Sequence, residues 1–186
     1  MIDFKIDCNG IVSQYFMGLG YTQFATVANF IKNLPYQRNT NKNDILSVVK
    51  DKYGTCSTKH AFLAELIAEN KQNIDLVLGI FKMDANYSNA VGKVLAKYNL
   101  PYIPEAHNYL SYEGIRYDYT NPTSSPKDFE DKLITEQNIT PNQITDYKVQ
   151  FHKKVLKKWI DDEQQPYSLV EIWAIREECM AALSNN

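Results

Sequence analysis

Cysteine, histidine and aspartate are the side chains from which a thiol nucleophile, its base and the orienter of that base are assembled. Cys56, His107 and Asp118 are one such set. Cys56 stands in Tyr53-Gly54-Thr55-Cys56-Ser57-Thr58-Lys59-His60, directly ahead of the apolar-periodic stretch Ala61 to Asn70, which puts its thiol in the first turn of a predicted helix. A helix N-terminus carries unpaired N–H groups and about half a positive charge. It therefore favours a thiolate over a thiol and offers donors to a developing oxyanion. Downstream, Ile103-Pro104-Glu105-Ala106-His107 and Ile115-Arg116-Tyr117-Asp118-Tyr119-Thr120 offer a base and an orienter.

Two other histidines compete for the role of base. His60 lies one turn beyond Cys56 on the same helix, where its ring points sideways from the axis, and it reads as a packing or capping residue. His152 falls in the basic run His152-Lys153-Lys154 with Lys157-Lys158, which reads as the solvated face of a helix. His107 is preferred. Cys8 and Cys179 read as packing residues, because cysteine is among the most buried residue types.

The elements that must position these groups follow from periodicity and breakers. Tyr21 to Leu34 reads as a helix with Phe24, Val27, Ala28 and Ile31 on one stripe and Pro35 as its stop. After a polar loop, Asp44 can cap a short helix through Lys52, and Gly54 breaks the chain before the Cys56 helix. In that helix Phe62, Leu63, Leu66 and Ile67 form the buried stripe, so it is expected to run through the middle of the domain. Ile74 to Phe81 reads as a buried strand, and Tyr87 to Tyr98 returns to a helical period.

Tyr102 to Thr120 reads as a β-hairpin. With Glu113-Gly114 as a two-residue turn, Tyr112 pairs with Ile115, Ser111 with Arg116, Tyr109 with Asp118 and His107 with Thr120. Alternation then puts His107, Tyr109, Arg116 and Asp118 on one face, with Asp118 the diagonal neighbour of His107. Asn121 to Pro126 closes the sheet region as a loop. A loose segment runs to Thr145, and helices are expected from about Lys148 to Asp161 and from Ser168 to Leu183, with Pro166 between them. The pattern is α+β: helices first, a small antiparallel sheet in the middle, helices last.

Composition bounds what this scaffold is for. At 186 residues a single domain, 1–186, is the default, and a core of that size needs no disulfide or structural metal. The 3 cysteines are widely spaced with no C-x-x-C pair, so neither a disulfide framework nor a zinc site is expected. No cofactor motif and no acidic cluster suited to calcium stands out. The formal charge of −2 comes from 20 basic and 22 acidic residues mixed along the chain, which argues against nucleic acid as a partner. The N-terminal Met1-Ile2-Asp3-Phe4-Lys5-Ile6-Asp7 lacks the basic start and apolar run of a signal peptide, and no stretch approaches the roughly 20 apolar residues of a membrane span. A soluble, cytoplasmic protein that does not engage a membrane is expected.

Gly54-Thr55-Cys56-Ser57-Thr58-Lys59 with its following helix, the strand-borne His107, and Asp118 followed by Thr120 resemble the transglutaminase-like superfamily, whose fold is papain-like. The resemblance covers roughly Leu34 to Pro122 and includes Leu34-Pro35-Tyr36, about twenty residues before the cysteine. It implies a central helix starting at the nucleophile and packed on a small antiparallel sheet; the helices read on either side flank this core, the C-terminal ones as an extension at about 145–186. It further implies Cys56 as nucleophile, His107 as base, Asp118 as orienter, and a protein or peptide substrate. The chain departs from the family pattern at Asn108-Tyr109, where a small residue and tryptophan are usual, and at Asp118-Tyr119-Thr120, where proline usually stands in the middle. The implied chemistry is acyl transfer through a cysteine thioester, resolved by water or by an amine. Two alternatives remain open: a non-catalytic module of the same fold that binds proteins, and a different Cys-His-Asp thiol acyltransferase.

Overall fold

A computed structural model describes residues 1–7 and 10–184 of the chain. Cys8 lies outside the described residues. The architecture is α+β. In chain order it comprises helices α1 (Ile11–Gly18), α2 (Phe24–Asn33), α3 (Ser47–Asp51) and α4 (Cys56–Glu69), strand β1 (Asp75–Asp84), helix α5 (Asn89–Lys97), strands β2 (Tyr102–Tyr112), β3 (Ile115–Tyr117) and β4 (Leu133–Ile139), and helices α6 (Asp146–Asp162) and α7 (Leu169–Ser184). The four strands hydrogen-bond in the order β3-β2-β1-β4.

The chain divides into two compact units, each assembled from three segments. The first comprises residues 1–78, 108–126 and 137–145, and the second 79–107, 127–136 and 146–186. The division falls within β1, β2 and β4.

In the first unit α4 is the organising element. Its residues Phe62, Leu63 and Leu66 are wholly buried and Ile67 nearly so, as the apolar stripe predicts, and α1, α2, α3 and a short 3-10 turn at Pro141–Ile144 all pack against it. Packing by four neighbours explains why burial extends beyond one stripe, to Lys59, His60 and Ala61 as well. Helix α1 was not legible as a helix, and its capping explains why. Gly10 provides no side-chain cap. The cap comes instead from Glu69 at the far end of α4, whose carboxylate accepts from the Val12 and Ser13 N–H groups at 2.9 and 2.7 Å and from Ser13 Oγ at 2.6 Å.

The hairpin forms in the expected register. Tyr112 pairs with Ile115, Ser111 with Arg116 and Leu110 with Tyr117, all antiparallel. Glu113 and Gly114 both adopt positive φ, 51° and 76°, the backbone of a two-residue type I′ turn whose twist matches that of the strands it joins. β3 ends at Tyr117, however, so Asp118 and Thr120 are not strand residues and the expected pairing of Tyr109 with Asp118 is not part of the ladder.

The second unit packs α5 and α6 against α7. At its centre Glu105 of β2 meets Arg176 of α7: Arg176 Nε donates to Glu105 Oε2 at 2.7 Å, and a second guanidinium N–H reaches Oε1. His152 corrects an expectation. It is 2% exposed, donates from Nε2 to the Pro104 carbonyl at 2.8 Å and packs edge-on to Trp173. With Leu156, Trp159 and Ile160 it shares the buried stripe of α6. The lysines behave as a solvated face does, with Lys157 and Lys158 pairing one turn on with Asp161 and Asp162. A second correction is β4, in a region read as loose. It is an edge strand of alternating exposure, and its polar Thr135, Glu136, Gln137 and Asn138 hide it from a hydrophobicity pattern. Among the described residues, no helix is long and apolar enough to cross a membrane.

Candidate functional site

The start of α4 is fixed from its own sequence. Thr55 adopts extended backbone as the N-cap, and its hydroxyl accepts from the Thr58 N–H while the Thr58 hydroxyl accepts from the Thr55 N–H, a reciprocal capping box. The Thr58 hydroxyl in turn donates to Asn39 Oδ1 at 2.6 Å. Cys56 is the first residue of the helix. It is a reduced cysteine, 8% exposed.

Gly54 lets the preceding chain come close. A Cβ there would lie 2.9 Å from Thr58 Oγ1 and 3.0 Å from Lys59 Cγ, tighter than van der Waals contact allows. The space goes to the Leu34-Pro35-Tyr36 segment, which runs alongside: Gly54 N–H donates to the Pro35 carbonyl at 3.1 Å and Gln37 N–H to the Gly54 carbonyl at 3.2 Å, with Tyr36 and Gly54 bridged in parallel. Leu34-Pro35-Tyr36 thus has a physical role at the cysteine, as the strand-like support of the turn that presents it.

Asp118 belongs to the same unit. It is buried, and its Oδ1 accepts from the Thr120 N–H at 2.8 Å, which shapes the chain leaving β3 into an Asx turn. Two side chains of α4 hold this turn by its backbone. His60, wholly buried, donates from Nδ1 to the Cys56 carbonyl at 2.7 Å and accepts the Tyr119 N–H on Nε2 at 2.8 Å, which defines a neutral Nδ1–H tautomer. Its Nε2 lies 3.7 Å from Asp118 Oδ1. The packing role expected for His60 takes a specific form, a bridge from the Cys56 carbonyl to the segment that carries Asp118. Lys59, also wholly buried, donates to the carbonyls of Leu34 at 2.5 Å and Thr120 at 2.7 Å. Burial pulls the Lys59 amine down to about 8, against the opposing influence of Asp118 and Cys56.

Asn108, the residue after His107 in β2, has a defined task. Its Oδ1 accepts from Ser57 Oγ at 3.0 Å and its Nδ2 donates to the Val77 carbonyl at 3.1 Å, so it ties the residue after Cys56 to β1. A small residue could not span that gap. Tyr109 is wholly buried and is a core residue of β2.

His107 is the last residue of its segment in the second unit. It is 7% exposed, with its ring edge-on to Phe129 at 4.9 Å between centroids and to Phe81 at 6.3 Å. The structure thus brings Cys56 and Asp118 into one unit through Lys59 and His60, and it seats His107 in an aromatic setting in the other. Cys179 is wholly buried in α7, and burial pushes its thiol up to about 12. No group of three or more His, Cys, Asp or Glu side chains suited to a metal ion occurs among the described residues.

Sequence reasoning missed the hydrogen-bonding roles of Lys59, His60 and Asn108. The signal for Lys59 and His60 was present: both precede the apolar run without a break, on a helix expected to run through the middle of the domain. Compared with family models, curated proteins and solved structures, the chain matches none.

Proposed function

We propose that the protein is a thiol enzyme of the transglutaminase-like kind, acting on peptide or side-chain amides through a thioester on Cys56. The observation that carries the reading is the mouth of α4. A cysteine stands as its first residue behind a reciprocal threonine cap, and the turn that holds Asp118 is hydrogen-bonded to the next helical turn. Such a helix start favours a thiolate and supplies N–H donors for an oxyanion.

In this reading His107 takes the Cys56 thiol proton and the thiolate attacks the amide carbonyl carbon. Backbone N–H groups at the helix start, that of Cys56 among them, stabilise the tetrahedral oxyanion; one such donor is worth about 3 kcal/mol of barrier. The C–N bond then breaks, and the leaving ammonia or amine takes the proton from His107. Water or a second amine, deprotonated by His107, attacks the thioester and returns the thiol. Asp118 holds the imidazole tautomer and stabilises its charged form. The near-complete burial of Cys56 favours one second reading, a non-catalytic binding module of the same fold.

Peptide amides offered with and without an added primary amine, to wild type and Cys56→Ala, separate the readings when the products are weighed by mass spectrometry. Loss of 17 mass units with gain of 18, or formation of the amine adduct, each abolished in Cys56→Ala, is the expected result (mass arithmetic of about one NH3 lost and one H2O gained). Tight peptide binding with no mass change in either protein would favour the binding module.

A further inference from the structure

Lys59 is a lysine with no exposure at all, at a position three residues after Cys56 on α4. An ammonium so placed loses its hydration, a cost of several kcal/mol that persists only where partners compensate. The partners here are main-chain carbonyls from two other segments: Leu34 at the end of α2, with Lys32 more distant at 3.4 Å, and Thr120 two residues after Asp118. A methionine or leucine would fill the same volume in a helix without that cost. A charged donor here serves what lies around it.

Two groups of opposite charge face it: Asp118 from the segment after β3 and, when ionised, Cys56 on its own helix. The other titratable neighbours leave it as the source of positive charge at this point. His60 is neutral by its hydrogen bonds, burial pushes the Tyr119 phenol up to about 12, and the Lys32 amine of α2 is turned to the Ser124 carbonyl. Residues three apart on a helix are neighbours on its surface, so the position of Lys59 relative to the thiol is set by α4 itself.

We propose that Lys59 is a positioning residue of the Cys56 site: its buried ammonium clamps the Asp118–Thr120 turn to the nucleophile helix and holds a fixed positive charge near the thiol that favours the thiolate. The proposal rests on the reading of Cys56 as a nucleophile, and it deepens that reading by naming a source of thiol activation besides the helix start. It also fixes an upper pH limit. The ammonium discharges near pH 8, and above that pH its influence on the thiolate is lost.

The test reads the thiol and the amine directly, in the full chain. Alkylation of Cys56 by iodoacetamide, followed from pH 5 to 10 by peptide mass spectrometry, is compared in wild type and Lys59→Met. The midpoint is expected to rise by about one pH unit or more in the variant, the effect of removing an opposite charge within a few ångströms. A merely structural lysine would lower the melting temperature and leave that midpoint in place. Where Lys59→Met does not fold, the Lys59 side-chain NMR titration in wild type and Cys56→Ser decides, because coupling is reciprocal: the Lys59 midpoint should fall by a comparable amount without the thiolate. Unchanged midpoints would overturn the proposal. Shifted midpoints in a protein that turns over no amide would sustain it and sink the acyl-transfer reading instead.

Discussion

The ion pair at the centre of the second unit sets up a prediction that can be worked through in numbers. Glu105 and Arg176 keep only 8% and 13% of their side chains exposed. Burial pushes the Glu105 carboxyl up, and the Arg176 guanidinium, with its two hydrogen bonds, more than reverses this and holds it below the usual carboxylate range. Arg176→Met removes the guanidinium and leaves the carboxylate buried. At an effective dielectric of about 20, two charges at about 4 Å interact by about 4 kcal/mol. The stranded carboxyl can escape part of the penalty by taking a proton. The remaining cost at neutral pH is expected to fall in the range of about 3–5 kcal/mol for a broken buried pair.

The sign with pH follows. In the variant the folded-state pKa of Glu105 lies above its unfolded value, so the deficit is largest above neutral pH and shrinks as the carboxyl protonates toward pH 5. Urea unfolding followed by circular dichroism at pH 7.5 and pH 5.5 gives both numbers. The double variant Glu105→Met with Arg176→Met should recover most of the loss, since no charge is then stranded. His152, whose Nε2 lies 4.0 Å from Glu105 Oε2, contributes in the same direction. Burial first of all holds its imidazole below 6.5, so in wild type the unfolded chain protonates first and stability declines as pH falls below about 6.5. Arg176→Met removes a positive neighbour of that ring and lessens this decline, so the deficit of the variant shrinks further at low pH. A deficit below about 1 kcal/mol that does not change with pH, the behaviour of an exposed pair, would refute the reasoning.

Two further outcomes concern the mouth of α4. Gly54→Ala should destabilise by about 1–3 kcal/mol in thermal unfolding, because the added methyl meets Thr58 Oγ1 and Lys59 Cγ, and it should slow Cys56 alkylation by disturbing the cap. Thr120→Val should be close to neutral, within about 0.5 kcal/mol, since the buried Thr120 hydroxyl has no hydrogen-bond partner among the described residues and its loss strands nothing; a cost above about 1.5 kcal/mol would point to a partner for that hydroxyl.

Local signals in the sequence were read well where the structure is locally determined. The Glu113-Gly114 turn carries its register in its own backbone preference, and the helix at Cys56 is set by Gly54, Thr55 and Thr58 within five residues. Illegible features depend on distant partners. Helix α1 takes its cap from Glu69, 57 residues away, and β4 is held as an edge strand by β1 rather than by an apolar pattern. Asp118 was placed in β3 by extending the ladder. Its own side chain ends the strand instead, by capturing the Thr120 N–H. His152 could have been found, because it repeats at i+4, i+7 and i+8 with Leu156, Trp159 and Ile160, but the lysines beside it drew the reading to the opposite face.

The central claim is that Cys56 carries the acyl group. Mixing the protein with an activated acyl ester, quenching in acid within seconds and mapping the added mass by peptide mass spectrometry tests it most directly. A single acyl increment on Cys56, removed by hydroxylamine, absent in Cys56→Ser and formed far more slowly in His107→Ala, is the predicted result. Acylation spread over lysines with Cys56 unmodified, or unchanged rates in His107→Ala, would contradict it.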